Sequence, residues 1–246
     1  IVFAEKCPYW LEKTETADSI KCYAYLPKGY FVLEKKGLDL EIMIEAFSPM
    51  IPHNLEHSCI PVQIFNVFIK NTSPSHRSVR MSLLQCDRMR PNGQTAVYND
   101  KHGQVAFYCA DGSADYTGVH KDVVIAPGQT ELVRFIIAWH YPYFKTFSPD
   151  LSQFYCRYYT KLFKTVLDVV AKANSCAEYW SAAIDEWHNS LCVPAYFKRL
   201  WFSSLSSAIC STMISDDPYF FEIETPHHHV DIMDVNAYSS WLYLIN

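Results

Sequence analysis

The sequence predicts a mainly β amino-terminal sandwich over residues 1–148, followed by α-helices over 149–246. Three observations predict it. Apolar and polar side chains alternate along short runs through the first 140 residues or so, the period of strands with one buried face. Clusters of Gly, Pro, Asn and Asp separate those runs. After Pro149 the apolar positions recur every three or four residues instead, which is the helical period.

Taken in order, the clearest strand is Leu38 to Ala46, where apolar side chains alternate with mostly charged ones. Lys35, Lys36 and Gly37 supply a turn before it, so residues 30–34 pair with it as a hairpin. Further strands are expected over 62–70, 78–85, 95–98, 104–109, 122–125 and 131–139, with turns at 71–74, 91–93, 111–112 and 126–128. Strands so spaced, with no helical period between them, point to an antiparallel sandwich. Asp150 is placed to cap a helix running through Tyr155, Tyr158, Leu162, Val166 and Val169. A second helix is expected over about 176–188, with Trp180, Ile184 and Trp187 on one face, and a third from Pro194 to Ile209. A short extended piece, 219–224, leads to Thr225, Pro226 and three histidines. Asp231 or Asp234 then starts a last helix, apolar at Val235, Tyr238, Leu242 and Ile245.

Composition narrows the class. The chain has 246 residues, 50% of them apolar and 19% charged, which is enough to bury a core and too aromatic for disorder. A net charge of −5 argues against a nucleic-acid partner. No run reaches the roughly 18 apolar residues of a membrane span, and the first residues are not a signal peptide. The nine cysteines form no CxxC pair, so free, mostly buried thiols in a reducing compartment are expected. The sequon at Asn71 reads as chance. There is no initiator Met and no helix-stop signal at Asn246, so both ends read as cut.

The densest group of ionisable side chains runs from Glu222 to Asp234. Extended geometry puts Glu222 and Glu224 on one side of their segment. Asp231 and Asp234, three apart near a helix start, are kept ionised by the helix dipole and accept hydrogen bonds from a ligand. The plainer alternative makes Asp231 an N-cap and the rest a solvated loop. His227, His228 and His229 cannot all face one ion from a strand or helix, and no HExxH or paired-Cys spacing accompanies them, so no metal or cofactor is assigned. A His/Asp metal site at 227–234 is the lesser reading. His53 and His57 with Cys59 offer a thiol and a base, but packing accounts for them better. Tyr155, Tyr158 and Tyr159 read as core. No phosphate-binding glycine loop and no GxSxG is present.

Several stretches, in order, carry a family likeness. They are EAFSPMIPHN from Glu45 to Asn54, continuing to SCIPV at Ser58 to Val62, and VFIKNT from Val67. FIIAWHYP follows from Phe135, then RYYT from Arg157, Trp187, VPAYFK from Val193 and DVNAYSS from Asp234. Together they resemble the non-lysosomal glucosylceramidases, the β-glucosidases of glycoside hydrolase family 116, with His140 where the family usually has Asp. The resemblance implies that residues 149–246 are the first helices of an incomplete (α/α)6 catalytic barrel. It implies retaining hydrolysis of a β-glucoside, with glucosylceramide as the type substrate, by a carboxylate nucleophile and a carboxyl acid about 5 Å apart. Glu224 matches the nucleophile best, with Glu222 as runner-up. Asp234 matches the Asp that hydrogen-bonds glucose hydroxyls, and His229 lies in the stretch where relatives carry aromatic residues of the sugar pocket. The acid/base Asp falls beyond Asn246, so this chain alone is expected to be inactive. The resemblance further implies a cytoplasmic protein, peripheral on membranes, with a glucoside or glycolipid as its partner and no cofactor. The other class of function is a non-catalytic β-sandwich that binds carbohydrate or protein.

Overall fold

The computed structural model describes residues 2–3, 15–85, 88–145, 154–204, 212–217, 220–224 and 229–230. In chain order the strands and helices begin with β1 (Val2–Phe3), β2 (Glu15–Thr16), β3 (Ser19–Tyr25), β4 (Lys28–Glu34), β5 (Leu40–Phe47) and α1 (Leu55–Ser58). Next come β6 (Val62–Asn71), β7 (Arg77–Leu84), β8 (Arg90–Asn92), β9 (Thr95–Asn99), β10 (Gln104–Cys109), β11 (Ser113–Ala114), β12 (Gly118–Ile125) and β13 (Thr130–His140). The remainder are β14 (Tyr143–Lys145), β15 (Phe154–Cys156), a 3₁₀ turn at Tyr158–Lys161, α2 (Val166–Ser190), α3 (Ala195–Ser204), β16 (Thr212–Ile214), β17 (Phe220–Glu224) and β18 (His229–Val230).

Eight strands form one antiparallel sheet in the order β3-β4-β5-β6-β13-β10-β9-β8, and β11-β12-β7 form a smaller one. The expected hairpin is β4–β5, in which Phe31 pairs with Ile44. The mainly β, sandwich-like body is therefore present, with a few helices. The strand period explains how the large sheet serves two cores. Along β6, Val67 and Ile69 join Leu33, Ile42, Ile44, Val133 and Phe135 in a core shared with Val119 and Ile125 of the small sheet. The alternate residues Val62 and Ile64 join Phe47, Ala106, Ile136 and Ala138 in a second core. What covers that second face is α2, through Val166, Val169, Val170, Ala173, Ala177, Trp180 and Ile184. The layers are small sheet, large sheet, helix.

One helix stands where the periodicity suggested two. Its apolar residues keep three- and four-residue steps from Val166 to Ile184 without interruption, and no breaker lies between. Its start is a capping box: the Thr165 side chain accepts from the Asp168 N–H and the Asp168 carboxylate accepts from the Thr165 N–H. The helix expected through Tyr155 and Tyr158 is absent for a related reason. Cys156 pairs with Tyr143 in the β14–β15 ladder, and the Arg157 N–H donates to Pro142 O, so the backbone there is already committed to neighbouring strands. Asp150 and the expected final helix lie outside the described residues.

A polar cluster sits inside the sheet–helix interface. The Lys28 ammonium on β4 is 1% exposed. It lies 3.0 Å from Glu45 Oε1 and 2.8 Å from Asp185 Oδ1, and donates to the Ser181 carbonyl and hydroxyl at 2.9 and 2.8 Å. Glu45 also accepts from Asn66 Nδ2 at 2.6 Å and from Ser181 Oγ at 2.9 Å. Asn66 Oδ1 in turn accepts from Arg134 Nε at 2.8 Å. Burial pushes the Glu45 carboxyl up, but hydrogen bonds from Asn66, Lys28 and Ser181 and the Lys28 charge outweigh it and hold the group below its ordinary 4.5.

Truncating one partner of such a group leaves the other buried and unpaired, which costs about 3–5 kcal/mol. Lys28→Met is expected to lower the unfolding free energy by about that amount in urea titrations, and adding Glu45→Leu to recover part of it. Because the folded Glu45 pKa is depressed, its contribution is complete above the unfolded value near 4.5 and is lost as pH falls through the lower folded value. The stability difference between the chain and Glu45→Gln should shrink on acidification across that window.

Candidate functional site

Two of the four sequence-derived site residues fall on one strand. Glu222 and Glu224 lie two apart on β17, where Glu222 registers opposite Thr212 of β16 and Glu224 registers directly opposite His229 of β18. The backbone therefore brings Glu224 and His229 together as cross-strand neighbours, about 5 Å apart by strand geometry. Asp234, together with His227, His228 and Asp231, lies outside the described residues. Of β17 and β18 the description extends to backbone only.

This small sheet is tied to the rest of the chain through β16. Ser215, just after it, bridges to Arg157; Asp216 N–H donates to Cys156 O at 2.8 Å; and Lys161 donates to the Asp216 carbonyl. The Arg157 guanidinium is largely covered. It donates from Nη1 to Met213 Sδ at 3.5 Å and stands 5.4 Å above the Phe144 ring, while its Nε has no hydrogen-bond partner. Burial holds its pKa below the ordinary arginine value. The RYYT stretch that marks the likeness is thus a junction between β13, the 3₁₀ turn and the Glu-bearing sheet. Tyr159 of that stretch is buried and bonds Tyr141 twice, its hydroxyl donating to Tyr141 O at 2.6 Å and accepting from Tyr141 N at 2.8 Å.

His140, where the resemblance leads one to expect Asp, is also buried. Its Nε2 lies 3.2 Å from Phe163 O, and a carbonyl only accepts, so Nε2 carries the proton. Its ring meets the edge of Tyr159 at 5.6 Å. That position holds the sheet to the turn before α2.

The His53, His57 and Cys59 group has no catalytic geometry. The Cys59 thiol donates to the Glu56 carbonyl rather than facing an imidazole, and burial pushes it up to about 12. His57 packs edge-on against Tyr179 and Trp180, and burial first, then Lys172, lowers its pKa. His57 lines a cavity of about 250 Å³ with Glu56, Leu162, Phe163 and Lys172. Glu56 is the one carboxylate in that lining, whereas glycoside cleavage uses two.

Among the described residues no group of three metal-ligating side chains is found, and no helix is long and apolar enough to cross a membrane. The Asn71 sequon is closed to glycosylation in the folded chain. Asn71 is fully buried, and its amide donates to Ser75 O at 2.7 Å and Ile125 O at 2.9 Å. The six described cysteines are free, as expected, but only Cys109 is buried, while Cys22 and Cys192 are exposed.

The comparisons with known proteins bear on the strands of the sandwich. Residues 5–120 match the family model described as beta-glucosidase 2, glycosyl-hydrolase family 116 N-term. Over those residues the chain is similar to the amino-terminal domain of family 116. The match spans the large sheet from β3 through β10 and reaches into β12. No curated protein matches the chain. Among solved structures, a polysaccharide lyase is similar at 13% identity, over 47% of this chain and 21% of its own length, with a TM-score of 0.29.

The thiols are graded by burial. Treated with a soluble disulfide reagent, Cys22 and Cys192 are expected to react first. Cys59 and Cys109, held at about 12 and about 11, should react only on unfolding. Peptide mapping of the modified thiols checks the order.

Proposed function

We propose that this chain is the amino-terminal part of a retaining β-glucosidase of family 116, acting on glucosylceramide or a related β-glucoside at the cytosolic face of membranes. The observation that carries the reading is the family match over residues 5–120. Glu224 is the nucleophile. Its carboxylate attacks the anomeric carbon, the glycosidic C–O bond breaks as a second carboxyl group protonates the leaving oxygen, and water then releases glucose from the glycosyl-Glu224 ester. Asp234 hydrogen-bonds the glucose hydroxyls. His229, registered across from Glu224, borders the sugar subsite. The helices from α2 onward begin the (α/α)6 barrel.

The second carboxyl group is not assigned to any of these 246 residues. Without acid assistance the reaction loses roughly 100- to 10,000-fold, so the chain by itself is expected to show no turnover. The test is a mechanism-based 2-fluoroglucoside on a protein containing this chain and the family's acid/base. Labelling should fall on Glu224 and be lost in Glu224→Gln. A label on Glu222 would shift the nucleophile by two residues, and a label on neither would remove the mechanism.

A further inference from the structure

The hairpin formed by β11 and β12 carries a hydroxyl, an imidazole and a carboxylate in series, on the side of the molecule formed by the small sheet. Ser113 and His120 are register partners across the two strands. Cross-strand partners project to the same face, and here Ser113 Oγ lies 2.9 Å from His120 Nε2. The other ring nitrogen, Nδ1, faces Asp115 Oδ2 at 3.7 Å. Each imidazole nitrogen therefore has its own neighbour, a hydroxyl on one side and a carboxylate on the other.

The turn fixes the carboxylate. Asp115 Oδ1 accepts from Thr117 N at 2.7 Å, Thr117 Oγ1 at 2.6 Å and Gly118 N at 3.1 Å. Burial pushes the Asp115 carboxyl up, but the hydrogen bonds from Thr117 and Gly118 outweigh it, so the group stays ionised at neutral pH. Gly118 is required for the turn: its φ is +152°, and a Cβ there would stand 2.1 Å from Leu83 O. An ionised carboxylate beside Nδ1 favours the tautomer with the proton on Nδ1. That leaves the Nε2 lone pair to accept from the Ser113 hydroxyl. Ser113 is exposed, so a reagent reaches Oγ from solvent.

We propose that Ser113 is a nucleophile that captures acyl groups from activated carboxylic esters, with His120 as its base and Asp115 holding the imidazole in place. Oγ forms a bond to the ester carbonyl carbon, the ester C–O bond breaks, and the hydroxyl proton passes through His120 Nε2 to the departing alcohol, leaving acyl-Ser113. The three side chains supply a nucleophile, a base and an orienting carboxylate, the order in which such groups act on unrelated folds. The substrate class is therefore esters whose alcohol leaves readily, such as aryl acetates. The site is independent of β17 and of the glycosidase reading.

The experiment treats the chain with 4-nitrophenyl acetate and follows phenolate release, intact mass and peptide mapping. One acetyl group is expected on Ser113. Ser113→Ala should lose it, and His120→Ala should slow its formation about 100-fold, within the usual range for general-base assistance. A fluorophosphonate probe on the unaltered chain gives a reading that depends on no variant, and it should map to Ser113. Far-UV circular dichroism of both variants checks the fold. Acetylation confined to lysines, a probe that leaves Ser113 unlabelled, or an unchanged rate in folded His120→Ala would overturn the proposal.

Discussion

A buried ammonium without a carboxylate beside it is among the costliest groups a fold can hold, and Lys28 sets the terms for the layer above the large sheet. Its partners come from two elements far apart in sequence. Glu45 arrives on the neighbouring strand, while Asp185 and Ser181 arrive on α2. The ammonium is satisfied only when the Ser181–Asp185 turn of α2 stands over Lys28, which sets one rotation and one axial position for the helix. Apolar packing of Val169, Ala173 and Trp180 would tolerate small slides of the helix, whereas the polar set does not. His188 adds a second fixed point, its Nε2 donating to Leu26 O at 3.1 Å.

The consequence runs outward along the chain. With α2 fixed, the 3₁₀ turn and Arg157 before it are fixed too, through Tyr159 against Tyr141 and His140 against Phe163. Arg157 and Cys156 then anchor the segment around β16, and β16 pairs with the strand that carries Glu222 and Glu224. The family-matched sandwich is in this way connected, contact by contact, to the strand proposed to hold the nucleophile. The match itself ends at residue 120, before any of those residues. It therefore marks a likeness of the sandwich to family 116 and leaves the site to chemistry.

Much of the sandwich was legible because strand alternation is a local signal. Leu40–Phe47 and Thr130–His140 are read directly from it, whereas Ser19–Tyr25 was missed: as an edge strand of the large sheet, with most of its residues exposed, it has no apolar alternation to read. The helix start was misplaced because Tyr155, Tyr158 and Leu162 mimic a helical stripe, although the Thr165 and Asp168 pair marks the true cap by its three-residue spacing. Lys28 was illegible, since nothing in KGYFVLE distinguishes a buried lysine from a solvated one. The Glu224–His229 adjacency was out of reach for the same reason: it depends on strand register, which five residues of sequence do not fix.

The most direct test of this account is native-state hydrogen exchange comparing α2 with the centre of the large sheet. If the Lys28 cluster joins helix and sheet into one cooperative unit, amides near Ala177 and Trp180 exchange with the same opening free energy as those of β6 and β13. Their protection should also drop in parallel when denaturant is added. Exchange of the α2 amides at markedly lower free energy, with the sheet still protected, would show that the helix opens on its own and would contradict the central role given to Lys28.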